Sequence, residues 1–163
     1  MTTTNKTETI KFNIQLYGQY WDKPPISEIL INDQSISKQE IISDENNPTI
    51  ITFEHKLFDG ETYKVVIRNL NKDNSQTVVE NDNIIKDQIL FIKSITIDEI
   101  DIGGLIYEGK YYPEYPEPWA SEQRSAGKDL PEYIKNVTSM GHNGRWELEF
   151  TSPFYMWLLE NLY

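Results

Sequence analysis

The stretch Asp87-Gln-Ile-Leu-Phe-Ile-Lys-Ser-Ile-Thr-Ile-Asp-Glu-Ile-Asp-Ile102 constrains the fold more than any other. It is the longest apolar, β-branched run in the chain, and acidic residues bracket it at both ends. Side chains branched at Cβ are stiff and pack well on a pleated surface, so the run predicts a strand rather than a buried helix. Ile89, Phe91, Lys93, Ile95 and Ile97 alternate with Leu90, Ile92, Ser94, Thr96 and Asp98. Both sets are apolar at the start, which predicts a central strand covered on two sides. A typical strand has about 5–6 residues, so a bend or bulge is expected within the run.

Other segments repeat the β pattern. Ile10, Phe12, Ile14 and Leu16 alternate strictly with Lys11, Asn13 and Gln15, the mark of a half-buried strand. Ile26–Ile31 predicts a second strand, with Asn32-Asp33-Gln34 as a turn and Ser35-Ile36-Ser37 returning beside it. Thr49–Leu57 and Thr62–Leu70, separated by Phe58-Asp59-Gly60-Glu61, predict a hairpin. Residues 71–76 are a polar turn, and Thr77-Val78-Val79 a short edge strand. Arg145–Phe150 predicts a closing strand with Trp146, Leu148 and Phe150 inward, preceded by a tight turn at Gly141-His-Asn-Gly144.

The rest differs in kind. After Gly103-Gly104 come Tyr107, Tyr111, Tyr112, Pro113, Tyr115, Pro116, Pro118 and Trp119. Proline cannot donate to a ladder and biases its predecessor to extended geometry, so an extended, polyproline-like strap is expected. Residues 120–132 are expected to be loop, and Leu130–Asn136 a short helical turn. From Ser152 onward the chain predicts a terminal helix, with Ser152 as N-cap and Pro153 at its first position. Apolar residues run nearly all round it, so burial on more than one side is expected. The segments divide as a flexible N-terminal arm (1–9), a β-sandwich core (10–102), a Pro/Tyr-rich strap and loop (103–140), and a closing strand with terminal helix (141–163).

Net charge bears on partners. At −11 the chain disfavours nucleic acid and anionic membranes. It lacks cysteine, so disulfides and thiolate metal sites are excluded. The N-terminal residues carry no apolar signal region, and no apolar run approaches the roughly 18 residues of a membrane span, so a soluble chain made in the cytoplasm is expected. The histidines, His55 and His142, stand far apart, with no Ser/His/Asp arrangement or His-x-His spacing, so the expectation is a non-enzyme.

Two groups of residues carry candidate function. Asp82 and Asp87 flank a loop and could converge on one hard cation such as calcium, which takes several oxygen ligands. Solvated strand-end carboxylates are the competing reading. The aromatic residues Tyr111, Tyr112, Tyr115 and Trp119 of the strap, and Phe154, Tyr155 and Trp157 of the terminal helix, could stack on sugar rings or dock on another protein chain. They could equally lie across the chain's own sheet as core.

The order of an alternating strand, a short Ile-Asn-Asp strand, a hairpin and an acidic loop before Asp87-Gln-Ile-Leu-Phe-Ile-Lys-Ser-Ile-Thr-Ile-Asp98 resembles the calcium-dependent, xylan-binding carbohydrate-binding modules. The resemblance covers about residues 10–102. It implies an all-β, antiparallel β-sandwich of jelly-roll type, with Asp87 at the place where the family's aspartate helps hold calcium. The family's Arg-Asn after that aspartate is Gln88-Ile89 here. Gly-His-Asn-Gly-Arg-Trp-Glu-Leu-Glu-Phe150 followed by Ser-Pro-Phe-Tyr-Met-Trp-Leu-Leu-Glu-Asn-Leu162 resembles structural proteins of tailed bacteriophages, where such a sandwich serves as virion building material. That implies a capsid-decoration, neck, tail or baseplate component of a virion, held by other virion subunits in a homo-oligomer or hetero-complex. The alternative it leaves is a module recognising host-surface glycans, with calcium as a possible cofactor.

Overall fold

A computed structural model describes residues 6–162. The strands in chain order are β1 (Thr7–Gln19), β2 (Ile26–Ile31), β3 (Gln34–Glu40), β4 (Thr49–Phe58), β5 (Thr62–Asn69), β6 (Val78–Glu80), β7 (Asn83–Lys86), β8 (Ile89–Ile97), β9 (Ile100–Asp101), β10 (Lys110–Pro113), β11 (Ile134–Lys135), β12 (Ser139–Met140) and β13 (Gly144–Thr151). Two helices, α1 (Trp119–Ser125) and α2 (Phe154–Leu162), complete the set with short 3-10 segments at Asn74–Gln76 and Gly103–Glu108. The arm expected over residues 1–9 lies partly outside the described residues, and Thr7–Thr9 already belong to β1.

The fold is an all-β antiparallel sandwich. One sheet runs β12-β8-β1-β4, with β9 on β8; the other runs β11-β10-β13-β5-β2-β3. Their inner faces make one core: Ile10, Phe12, Ile14, Leu16, Leu90, Ile92, Ile95 and Ile97 from the first, Ile29, Ile31, Val65, Ile67, Trp146, Leu148 and Phe150 from the second. Strict alternation on β1 and β13 produces this, since successive side chains point to opposite faces. Phe12 stacks on its cross-strand partner Phe53, ring centroids 4.8 Å apart.

The Asp87–Ile102 run is not one strand. It breaks at Asp98-Glu99, both at positive φ (49° and 68°), into β8 and β9. Within β8, Gln15 faces Ser94 while Leu16 faces Ile92, so Lys93 is an extra, bulged residue. A bulge flips the parity of everything beyond it. The core set is therefore Leu90 and Ile92, then Ile95 and Ile97, not a single alternating row. The strand has one buried face rather than two; on the outer face Phe91 stacks on Tyr17 at 4.7 Å.

Five further expectations change. β4 and β5 are not a hairpin: β4 pairs with β1, and β5 with β13 and β2. The turn at Gly60 (φ 85°) hands the chain from one sheet to the other, and two amphipathic strands facing one core from opposite sides carry the same pattern as a hairpin. The strap is not free polyproline, because Lys110–Pro113 enters the sheet beside β13 with Pro113 at the strand end, where a missing donor costs no ladder bond. Residues 119–125 are helical rather than loop, and Ile134-Lys135 is a strand on β10 rather than a helical turn. Last, α2 buries one face only. Phe154, Trp157 and Leu158 pack inward, and Tyr155, Met156 and Leu159 are exposed. Its N-terminus is capped by the Glu8 carboxylate of β1, which accepts from the Phe154 N–H at 3.1 Å and, more weakly, from the Ser152 hydroxyl at 3.3 Å. No helix among the described residues is long and apolar enough to cross a membrane.

Candidate functional site

Register places the ends of β1, β5 and β10 and the starts of β8 and β13 at one rim of the sandwich. The loops there carry polar side chains that bond to one another's backbones. Asn143 donates from Nδ2 to the Lys72 carbonyl (2.7 Å) and accepts at Oδ1 from the Lys72 N–H (2.8 Å), imitating a strand pair. Gln88, fully buried, donates to the carbonyls of Lys23 (2.9 Å) and Asn71 (3.2 Å). Asn69, also buried, donates to the His142 carbonyl at 3.1 Å. Buried amides that satisfy loop backbones hold irregular segments in one shape.

These loops enclose a cleft of about 470 Å³. Its apolar wall is Trp119, Pro116, Val79 and Ile84; its polar wall is Lys72, Asp73, Asn74, Thr77, Asp87, Glu114, His142 and Asn143. Val79 and Ile84 are a cross-strand pair of the β6–β7 hairpin, which joins neither main sheet and leaves both side chains exposed. The Trp119 indole, 37% exposed, packs against the rings of His142 (5.6 Å) and Tyr115 (6.1 Å). An apolar surface beside a few convergent polar groups is the usual make-up of a small-ligand site.

Asp87 accepts three hydrogen bonds in the cleft. Its Oδ1 accepts from Lys72 Nζ (2.6 Å), Thr77 Oγ1 (2.7 Å) and the Gln88 N–H (2.9 Å). Its Oδ2 has no partner among the described residues. Burial raises the Asp87 carboxyl, but the hydrogen bonds from Lys72, Thr77 and Gln88 outweigh it and hold the group ionised below the usual carboxylate range. Burial, then the Lys72 ammonium, pushes His142 below its ordinary value against a smaller opposing pull from Asp87. Asp73 is lowered to about 2 by hydrogen bonds from Lys23 and Ser75. At neutral pH Asp73 and Asp87 are thus ionised and His142 is neutral.

The residues singled out in the sequence scatter. Asp82 and Asp87 do not converge: Asp82 is in the tip of the β6–β7 hairpin and Asp87 at its base, with the 4-residue strand β7, roughly 13 Å long at about 3.3 Å per residue, between them. Tyr115 and Trp119 reach the cleft region. Tyr111 lies in the core behind it, its hydroxyl donating to the His142 carbonyl (2.5 Å) and accepting the His142 N–H (2.9 Å). Tyr112 lines a second groove of about 330 Å³ beside Lys64 and Glu147, with Arg145 over its ring at 4.1 Å. Phe154 and Trp157 are core, and Tyr155 is exposed on α2, donating to Asp98 at 3.0 Å. Sequence reasoning missed Lys72, Asn74, His142 and Asn143 as cleft residues. The signal available was two polar turns, 71–76 and 141–144, whose meeting depends on the sheet register.

A calcium ion, implied by the resemblance at Asp87, does not fit against Asp87 Oδ1, the carboxylate oxygen that faces the Gly141 turn. Calcium sits about 2.3–2.6 Å from its oxygen ligands. Lys72 Nζ already stands 2.6 Å from Asp87 Oδ1 and also donates to the Gly141 carbonyl. No group of three His, Cys, Asp or Glu side chains suited to a metal occurs among the described residues.

Among solved structures the chain is similar to vCBM60 in complex with galactobiose, with a TM-score of 0.51 and 6% identity over 84% of this chain and 95% of that one. The likeness is one of fold. A selenomethionine form of vCBM60, solved in connection with circular permutation as a link between two families of calcium-dependent carbohydrate-binding modules, gives 0.49 and 5% over 85% and 88%. No family model and no curated protein matches the sequence.

Proposed function

We propose that the protein is a non-catalytic module that binds a neutral glycan in the rim cleft. One observation carries this reading: an exposed indole, Trp119, shares a preformed cleft with an ionised carboxylate whose second oxygen has no partner among the described residues. A sugar ring offers an apolar face for the indole and hydroxyl donors for Asp87 Oδ2 and Glu114. The cleft's carboxylates, Asp73, Asp87 and Glu114, outnumber Lys72, which disfavours uronic or sialic acids. The fold shared with vCBM60, solved with galactobiose, supports the reading and makes galactobiose a natural first probe. Calorimetric titration with neutral di- and oligosaccharides tests it: binding that Trp119→Ala weakens at least tenfold is the expected outcome, and silence across a broad neutral-glycan array rejects the reading.

A second reading, a structural subunit of a tailed-phage virion acting through protein contacts, rests on the exposed apolar face of α2 formed by Tyr155, Met156 and Leu159. It expects an oligomer or a complex. A strictly monomeric chain in light scattering, unchanged by Met156→Glu, counts against it.

A further inference from the structure

Lys72 is an unusual residue for a strand-end turn. Its side chain is only 10% exposed, and Asp87's is 18% exposed. The ammonium donates to a carboxylate oxygen of Asp87 and to the Gly141 carbonyl, while Thr77 Oγ1 donates to the same Asp87 oxygen. Carboxylate and carbonyl oxygens drawn from the 87 and 141 loops are the donor chemistry that hard cations recruit. At their focus stands a primary ammonium instead. A divalent ion cannot enter at bonding distance to Asp87 Oδ1 without displacing Lys72, and it would meet that ammonium's charge at close range.

We propose that Lys72 is a tethered cation that takes the structural place of a metal ion in this cleft, so that ligand recognition is independent of calcium. Lys72 is a positioning residue: it fixes the Asp87 carboxylate and draws the Gly141-His142-Asn143 turn onto the 71–77 turn. Two of its three N–H donors are spoken for, which leaves one for a ligand oxygen. The lysine is also locked from its own backbone by the two Asn143 hydrogen bonds, so its side chain departs from a fixed point.

The part concerning ligand recognition rests on the glycan reading; the part concerning the cation does not. Thermal melting of the full chain in millimolar calcium and in EDTA separates them. The expected result is the same Tm in both, and the same glycan affinity in both. A Tm raised by calcium overturns the proposal, as does glycan binding lost in EDTA. If no glycan binds in either buffer, the glycan reading fails while the melting comparison still decides the cation question. Lys72→Ala supplies the second arm. Removing one partner of a largely buried pair lowers Tm by about 5–10 °C. Ethylammonium chloride is expected to recover part of that loss where equal sodium chloride recovers none. A Lys72→Ala protein that melts with the wild type would overturn the proposal. Should that variant not fold, Lys72→Met and the wild-type calcium titration give the same decision.

Discussion

The two rims of the sandwich are both rich in aromatic residues, yet they are built to different ends. At one rim Tyr115, Trp119 and His142 cluster, backed by Tyr111, above loops whose backbones are tied by Asn69, Gln88 and Asn143. At the other, Phe154 and Trp157 of α2 pack on Phe150, with ring centroids near 6 Å. The helix rim closes the core: a single face of α2 is buried, and Glu8 satisfies its N-terminus. The cleft rim cannot close that way, because irregular loops with polar side chains leave a gap that only another molecule or water fills. Aromatic content alone does not distinguish a lid from a binding wall; the polar scaffold beneath it does.

That contrast can be broken by substitution. Phe154→Ala carries the largest expected effect, a loss of about 3–5 kcal/mol of stability from a fully buried ring, measured by denaturant unfolding. Glycan affinity at temperatures where the variant is folded should be unchanged. Trp119→Ala should do the reverse, weakening glycan binding at least tenfold, about 1.4 kcal/mol, while stability moves by less than about 1 kcal/mol. If the two variants behaved alike, the division between rims would fail.

Smaller effects sharpen the comparison. Glu8→Ala removes the acceptor at the start of α2 and should cost about 1 kcal/mol, visible in unfolding and absent from binding. At the cleft rim, pH is the finer probe. His142 titrates near 6.5 when unfolded and lower when folded, so between those values the unfolded chain binds more protons. Stability is therefore full above about pH 6.5 and falls as pH drops below it. His55 is also lowered by burial, so the slope contributed by His142 is the difference between the wild type and His142→Asn over pH 7 to 5. An identical slope in both proteins would show that His142 is not the group responsible. Tyr155→Phe removes only an exposed hydrogen bond to Asp98 and should change stability by less than about 0.5 kcal/mol.

How much of this was legible beforehand differs between elements. β2 was readable to its ends, and β1 and β13 in their core faces, because strict alternation of apolar and polar residues encodes both a strand and its buried face. The turn at Gly60 was equally readable as a turn, but not as a crossing between sheets. Pairing partners are set by long-range closure of the core, on which a local turn is silent. The parity change at Lys93 was likewise hidden, since a bulge changes which residues face inward without changing composition.

The candidate site was less legible still. Asp87 and Trp119 were picked out one by one, from an acidic strand end and an aromatic strap. Their meeting requires β10 to lie against β13 and the hairpin β6–β7 to stand clear of both sheets. Lys72 carried no signal in a polar turn, and its meaning arises only when the register of β5 and β13 sets the 71–77 and 141–144 turns side by side. The sequence by itself determined an all-β chain, its strong strands and its inward residues, because side-chain periodicity is a local property. The tertiary structure decided which aromatic cluster closes the core, which lines a cleft, and which cation holds Asp87, because each depends on segments far apart in the chain that only the closed sandwich brings together.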